Sequence, residues 1–157
     1  MAQPRMLVCV FVAMLAAARP AAAQVESAAQ PIAVLDNVDL MDLMLKPAYD
    51  SLQRAMAHAP ADRKAWSGLY QDAARLAELE NLLFFRTRAG SDRQVEWPHR
   101  AARARDATAA VAAAALLGLR SAQAADFERV RATFPAVSDA CTGCHRAFAR
   151  EAPVIKP

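Results

Sequence analysis

Seven residues near the end of the chain, Phe127, Val130, Phe134, Val137, Cys141, Cys144 and Phe148, follow one another at steps of three or four without a miss. An α-helix places such a series on one side, because its turn is 3.6 residues and positions i, i+3 and i+4 share a face. The same period recurs upstream. Over residues 36–58, Val38, Met41, Met44, Leu45, Ala48, Leu52, Ala55 and Met56 fall on a common face. Pro47 should kink that helix, since it has no N–H and its ring crowds the carbonyl four residues back. A second stretch starts at Asp62, a good N-cap, and ends near Arg88, with Trp66, Leu69, Ala73, Leu76, Ala77 and Leu83 as its inner face. After a turn at Gly90, a third begins at Ser91 or Asp92 and runs through alanine-rich sequence to Leu119, with Trp97-Pro98 marking a short separate turn before the main body. The fourth begins near Ser121 and should bend at Pro135. No strand pattern competes, glycine is scarce at 4 residues, and alanine, the best helix former, is abundant. These features predict an all-α chain, an antiparallel four-helix bundle in up-down-up-down order with short connections. One end of such a bundle collects the start of helix one, the end of two, the start of three and the end of four.

At 157 residues the chain has the size of one domain. It begins like an exported protein: Arg5 precedes an apolar run over residues 6–18, and Ala21-Ala22-Ala23 supplies an A-x-A cleavage site. The run falls short of the roughly 20 residues a membrane span needs. The expected organisation is a signal peptide over 1–23, an N-terminal strap over 24–35 and a helical domain over 36–157, with export to the periplasm. Cys9 leaves with the signal. So do Arg5 and Arg19, which reduces 19 basic residues to 17 against 16 acidic ones. So even a balance gives no support for nucleic acid as a partner.

Cys141 and Cys144 are then the only cysteines left, in a compartment where disulfides form, so an unbridged pair needs a reason. The reason is the run Cys141-Thr142-Gly143-Cys144-His145, the attachment signature of c-type haem. Two thiols must add to two vinyl groups on neighbouring porphyrin edges, and the next residue must place an imidazole nitrogen on iron. On a helix, i and i+3 face the same way with i+4 beside them. Rival readings are poorer. A structural zinc site wants four ligands, and there is no second cysteine pair. A thioredoxin-like C-x-x-C expects alternating strands and helices, which are missing.

A C-x-x-C-H on the last helix of a four-helix bundle, with Phe148 three residues beyond the histidine, resembles the cytochrome c prime family, the class II c-type cytochromes. Leu40-Met41, Pro47, Trp66 and Asn81-Leu82-Leu83 look similar to a cytochrome c prime-like branch. The resemblance implies a periplasmic bundle clasping one covalent haem c at one end. Many members carry a basic residue four after the histidine; here that position is Ala149, flanked by Arg146 and Arg150. Members are often dimers through their first two helices, which leaves a homodimer open for this chain.

The group opposite His145 decides the chemistry. It must come from the same end of the bundle as the end of helix four. His58 fails, lying 17 residues beyond Met41, roughly 25 Å along a helix. Met41 passes, in the second turn of helix one; Met44, one turn on, serves only if the haem sits deeper, and His99 follows Pro98 near the start of helix three. An open sixth position is the other alternative, and ordinary core packing is what methionine does most often. A thioether opposite histidine raises the reduction potential and suits electron transfer. An open position behind an apolar wall suits small gases such as nitric oxide or carbon monoxide, with Met41 or Met44 as a steric gate.

The same end should hold Leu83, Phe84, Phe85, Val95 and Trp97 as cover for the porphyrin. Arg86 and Arg88, with Arg93 and Arg100, are candidates for pairing with haem propionates, whose carboxylates a guanidinium fork matches. A basic rim there could also steer an acidic redox partner protein. The acids Glu78 and Glu80 read as helix-face charges. With no nucleophile–base pair, paired acids or phosphate loop, the expected role is an electron carrier and not an enzyme.

Overall fold

A computed structural model describes residues 32–86, 95–121 and 123–157, which are helical with no strand among them. The expected signal peptide, residues 24–31 of the strap, the turn at Gly90, and Arg88 and Arg93 lie outside the described residues.

The first helical rod begins at Asp36, whose carboxylate accepts from the Asp39 N–H at 2.8 Å, a side-chain N-cap. It runs through α1 (Asn37–Leu40), a π-helical turn (Met41–Leu45) and α2 (Lys46–Ala55). Pro47 accounts for the turn. It has no N–H for the Leu43 carbonyl, so the ladder widens just before it, and the Lys46 N–H reaches the Met41 carbonyl five residues back. The extra residue shifts the phase of the helix. Leu45, Ala48, Tyr49 and Leu52 are buried as a stripe, and the next buried residue upstream is Leu40, five before Leu45. Val38 and Met44, expected on the inner face, are 67% and 40% exposed, and Met41 is only partly buried, packed against the edge of the core.

Asp62 caps α3 (Arg63–Asn81) through the Ala65 N–H at 2.7 Å, and the helix tightens into a 3-10 turn at Leu82–Phe85. Its inner face is the expected one, with a correction: Glu80 belongs to it and is 2% exposed. The third rod, α4 (Glu96–Ser121), differs at its start. Trp97-Pro98 forms no separate turn but lies in the helix's first turn, where a missing N–H costs nothing because those donors have no intrahelical acceptor. The fourth rod bends as expected: α5 (Ala124–Thr133) gives way at Phe134 to α6 (Pro135–Phe148).

α4 packs against α3, α5 and α6, and α3 also meets α2. Trp66, near the start of α3, lies against Gly118 near the end of α4 and edge-on to Phe127 of α5, with ring centroids 6.4 Å apart. At the other end of the same pair, the Trp97 Nε1–H donates to the Leu83 carbonyl at 2.7 Å. Ser51 of α2 donates to Asp72 of α3 at 3.0 Å, and Tyr49 stacks on Phe134 with centroids 5.7 Å apart. The segment after α6, residues 149–157, returns along α6, and Tyr49 Oη donates to the Lys156 carbonyl at 2.6 Å. No described helix is long and apolar enough to cross a membrane.

Candidate haem-attachment site

Cys141 and Cys144 lie one turn apart on α6, both partly buried and both free thiols. Burial disfavours their charged form. It pushes the Cys141 thiol up to about 12, with the nearby Glu80 carboxylate and Cys144 adding to the effect. Cys144 is also raised, first by burial and then by Glu96, while the Arg100 guanidinium acts the other way. Thiol–disulfide exchange needs the thiolate, so a raised pKa at both thiols slows closure of the pair into a disulfide.

Arg100 holds the turn between the cysteines. Its Nη1 donates to the Gly143 carbonyl at 2.8 Å, and its Nε donates to Glu96 Oε1 at 2.8 Å. A Cβ at position 143 would stand 3.3 Å from that Nη1, so glycine lets the guanidinium come close. Arg100 is thus occupied within the protein. Arg86 also has a local role: its Nη1 donates to the Leu35 and Asp36 carbonyls and ties the start of the first rod to the end of the second.

His145 is partly buried, with Nδ1 3.4 Å from the Pro153 carbonyl. A carbonyl can only accept, so this contact calls for the Nδ1–H tautomer and leaves the Nε2 lone pair for a metal. Beside the histidine, Phe148 meets Trp97 edge to face, with centroids 4.9 Å apart and planes at 62°. Leu83 is buried, whereas Phe84 is partly buried and carries Arg105 over its ring at 5.0 Å. Phe85 and Val95 are 59% and 77% exposed, so they stand as surface residues of this end instead of core cover. His99 and His58 are exposed.

Glu80 was not legible as a site residue, although its spacing from Leu76, Ala77 and Leu83 signals the inner face. Burial raises its carboxyl from 4.5 to about 7. The Thr108 hydroxyl nearby holds it back without the geometry of a hydrogen bond, and Glu80 Oε2 and Thr108 Oγ1 are both buried without a partner. Unpaired polar atoms are unusual in a helical core.

The donor set fits covalent haem: two free thiols one turn apart, and an imidazole with one nitrogen turned to a carbonyl and the other left for iron. It does not fit a closed zinc site, since no three His, Cys, Asp or Glu side chains converge among the described residues. The cleft beside Gly143, lined by Arg100, Arg103, Asp139 and Ala140, is about 50 Å³. A larger groove of about 360 Å³ lies by Gln53, Met56, Arg131 and Phe134, well along α6 from the motif. Comparison with protein-family models, curated proteins and solved structures finds no match for this chain.

Proposed function

We propose that this chain is an exported c-type cytochrome of cytochrome c prime type, carrying one haem through Cys141 and Cys144 with His145 as an iron ligand. The observation that carries the reading is the attachment motif on the last helix, with both thiols free and the His145 Nδ1 turned to a backbone carbonyl. Haem supplies one-electron redox chemistry when bound. The protein's own residues hold and orient it, and Arg86 and Arg88 are proposed partners of its propionates. The pairings of Trp66 with Gly118 and Trp97 with Leu83 support the antiparallel second and third rods of an up-down-up-down bundle, because each joins opposite ends of those two rods. The leader expected from the sequence over 1–23 argues for the periplasm, and a small electron carrier with a protein redox partner is the role that follows.

One observation favours a second reading. The π turn gives Leu40, 1% exposed, the inward place that the helical period assigned to Met41. An aliphatic residue there builds an apolar wall that cannot ligate iron, which suits a five-coordinate site for nitric oxide or carbon monoxide. Visible spectra in both redox states separate the two. A low-spin spectrum with a methionine–iron charge-transfer band supports the carrier with Met41 as ligand, whereas a high-spin spectrum that shifts with carbon monoxide supports gas binding.

A further inference from the structure

The segment after α6 is held by side chains from two different helices. Thr142, 7% exposed, closes a pair of hydrogen bonds on one residue of it: the Ile155 N–H donates to Thr142 Oγ1 at 3.1 Å, and Oγ1 donates to the Ile155 carbonyl at 3.2 Å. From α2, Tyr49 Oη reaches the Lys156 carbonyl, and Gln53 Nε2 donates to the Lys156 and Pro157 carbonyls at 3.1 and 3.2 Å. Ile155 itself packs against the core. Thr142 and His145 are one turn apart on α6, so a segment docked on Thr142 necessarily passes along the face that carries His145. It presents the Pro153 carbonyl to Nδ1 there, at 3.4 Å. That distance is long for an N–H···O bond, so the contact depends on where the segment is held and not on its own strength.

On the haem reading above, we propose that residues 149–157 are a strap that orients the His145 ring, with Thr142 as the positioning residue that locks it. The middle of the attachment motif then has two jobs. Cys141 and Cys144 face the macrocycle, while Thr142 turns to the next face and docks the strap. The strap's carbonyl fixes the imidazole tautomer and raises the basicity of Nε2, a common task of second partners of metal-bound histidines. Tyr49 and Gln53 carry the same restraint to the first rod, so the ring's orientation is tied to the bundle and not to α6 alone.

The test uses the haem-loaded protein with Thr142→Val, which keeps the shape and removes both hydrogen bonds, and Thr142→Ser, which restores them. Tyr49→Phe provides an independent release from a different helix. Two NMR exchange rates are read, that of the Ile155 amide and that of the His145 Nδ1–H, together with the reduction potential. The expected result is exchange about tenfold faster at both positions in Thr142→Val, as loss of about 1.4 kcal/mol from two neutral hydrogen bonds implies. The potential should rise, because a less basic imidazole favours the reduced iron, and Thr142→Ser should return all three to the starting values. Tyr49→Phe should move them in the same direction as Thr142→Val. An Ile155 amide that exchanges freely already in the unmutated protein overturns the docking, and release of Ile155 with the Nδ1–H unaffected overturns the positioning role. A chain that takes up no haem defeats the cytochrome reading instead; in that chain the His145 nitrogen chemical shifts still decide the strap, which fails if Thr142→Val leaves them unchanged.

Discussion

Trp97 and Phe148 meet edge to face across the start of α4 and the end of α6, with ring centroids 4.9 Å apart. The same indole donates through Nε1 to the Leu83 carbonyl at the end of the second rod. One side chain thus ties three rods together beside the attachment motif. Edge-to-face pairs add about 0.5–1.5 kcal/mol to what burial supplies. Trp97→Ala should cost about 3–5 kcal/mol in urea unfolding, the usual range for a large aromatic removed from a core. Trp97→Phe keeps much of the bulk but removes one of the two hydrogen bonds to the Leu83 carbonyl, which the Arg86 N–H also reaches at 3.2 Å, and should cost about 0.5–1.5 kcal/mol.

Two glycines should respond in opposite directions to the same change. A Cβ at Gly118 would stand 2.0 Å from Cζ3 of Trp66, inside a rigid ring that is itself 3% exposed. Gly118→Ala therefore forces α3 and α4 apart and should destabilise by at least about 1–3 kcal/mol. Gly68, exposed on α3, has nothing within 4 Å of its Cβ position, so Gly68→Ala should raise stability by roughly 0.5–1 kcal/mol through helix propensity alone. Denaturation midpoints of the two variants, measured side by side, check this.

Glu80 makes stability depend on pH. Its native carboxyl is raised from 4.5 to about 7 by burial, so the folded chain keeps a proton there that the unfolded chain has released. The contribution is fully present below pH 4.5 and is lost as pH rises through about 7. Glu80→Gln should match the parent near pH 4.5 and exceed it by about 1–3 kcal/mol at pH 8, where the parent buries an unpaired charge. Equal stability of the two at pH 8 would show that the carboxylate finds a partner.

Much of this arrangement was legible beforehand, for physical reasons. Trp66, Leu69, Ala73, Leu76, Ala77 and Leu83 are buried as their spacing required, and so are Phe127, Val130, Phe134 and Val137, because burial follows a regular helix's period. The break at Pro135 was equally readable. The first rod departs from its apolar pattern at its start, since that pattern assumes 3.6 residues per turn and one π turn moves Leu40 inward in place of Met41 and Val38. The burial of Glu80 runs against its residue type, because charged side chains are rarely buried. Nothing in the motif pointed to the hydrogen bonds of Thr142, which join residues 13 apart through a returning segment.

The phase shift bears on the iron. Met41→Ala should turn a low-spin spectrum into a high-spin one that responds to carbon monoxide if the thioether is a ligand. A low-spin spectrum unchanged by the substitution removes Met41 from the site and directs attention to Met44 or His99.

The central claim is covalent. After expression with cytochrome maturation machinery, the chain is denatured, extracted with acidic organic solvent and weighed intact by mass spectrometry. The account predicts that colour stays with the polypeptide and that its mass exceeds that of the chain by one haem, lost together when Cys141 and Cys144 are both replaced by alanine. A colourless chain of unmodified mass would contradict it.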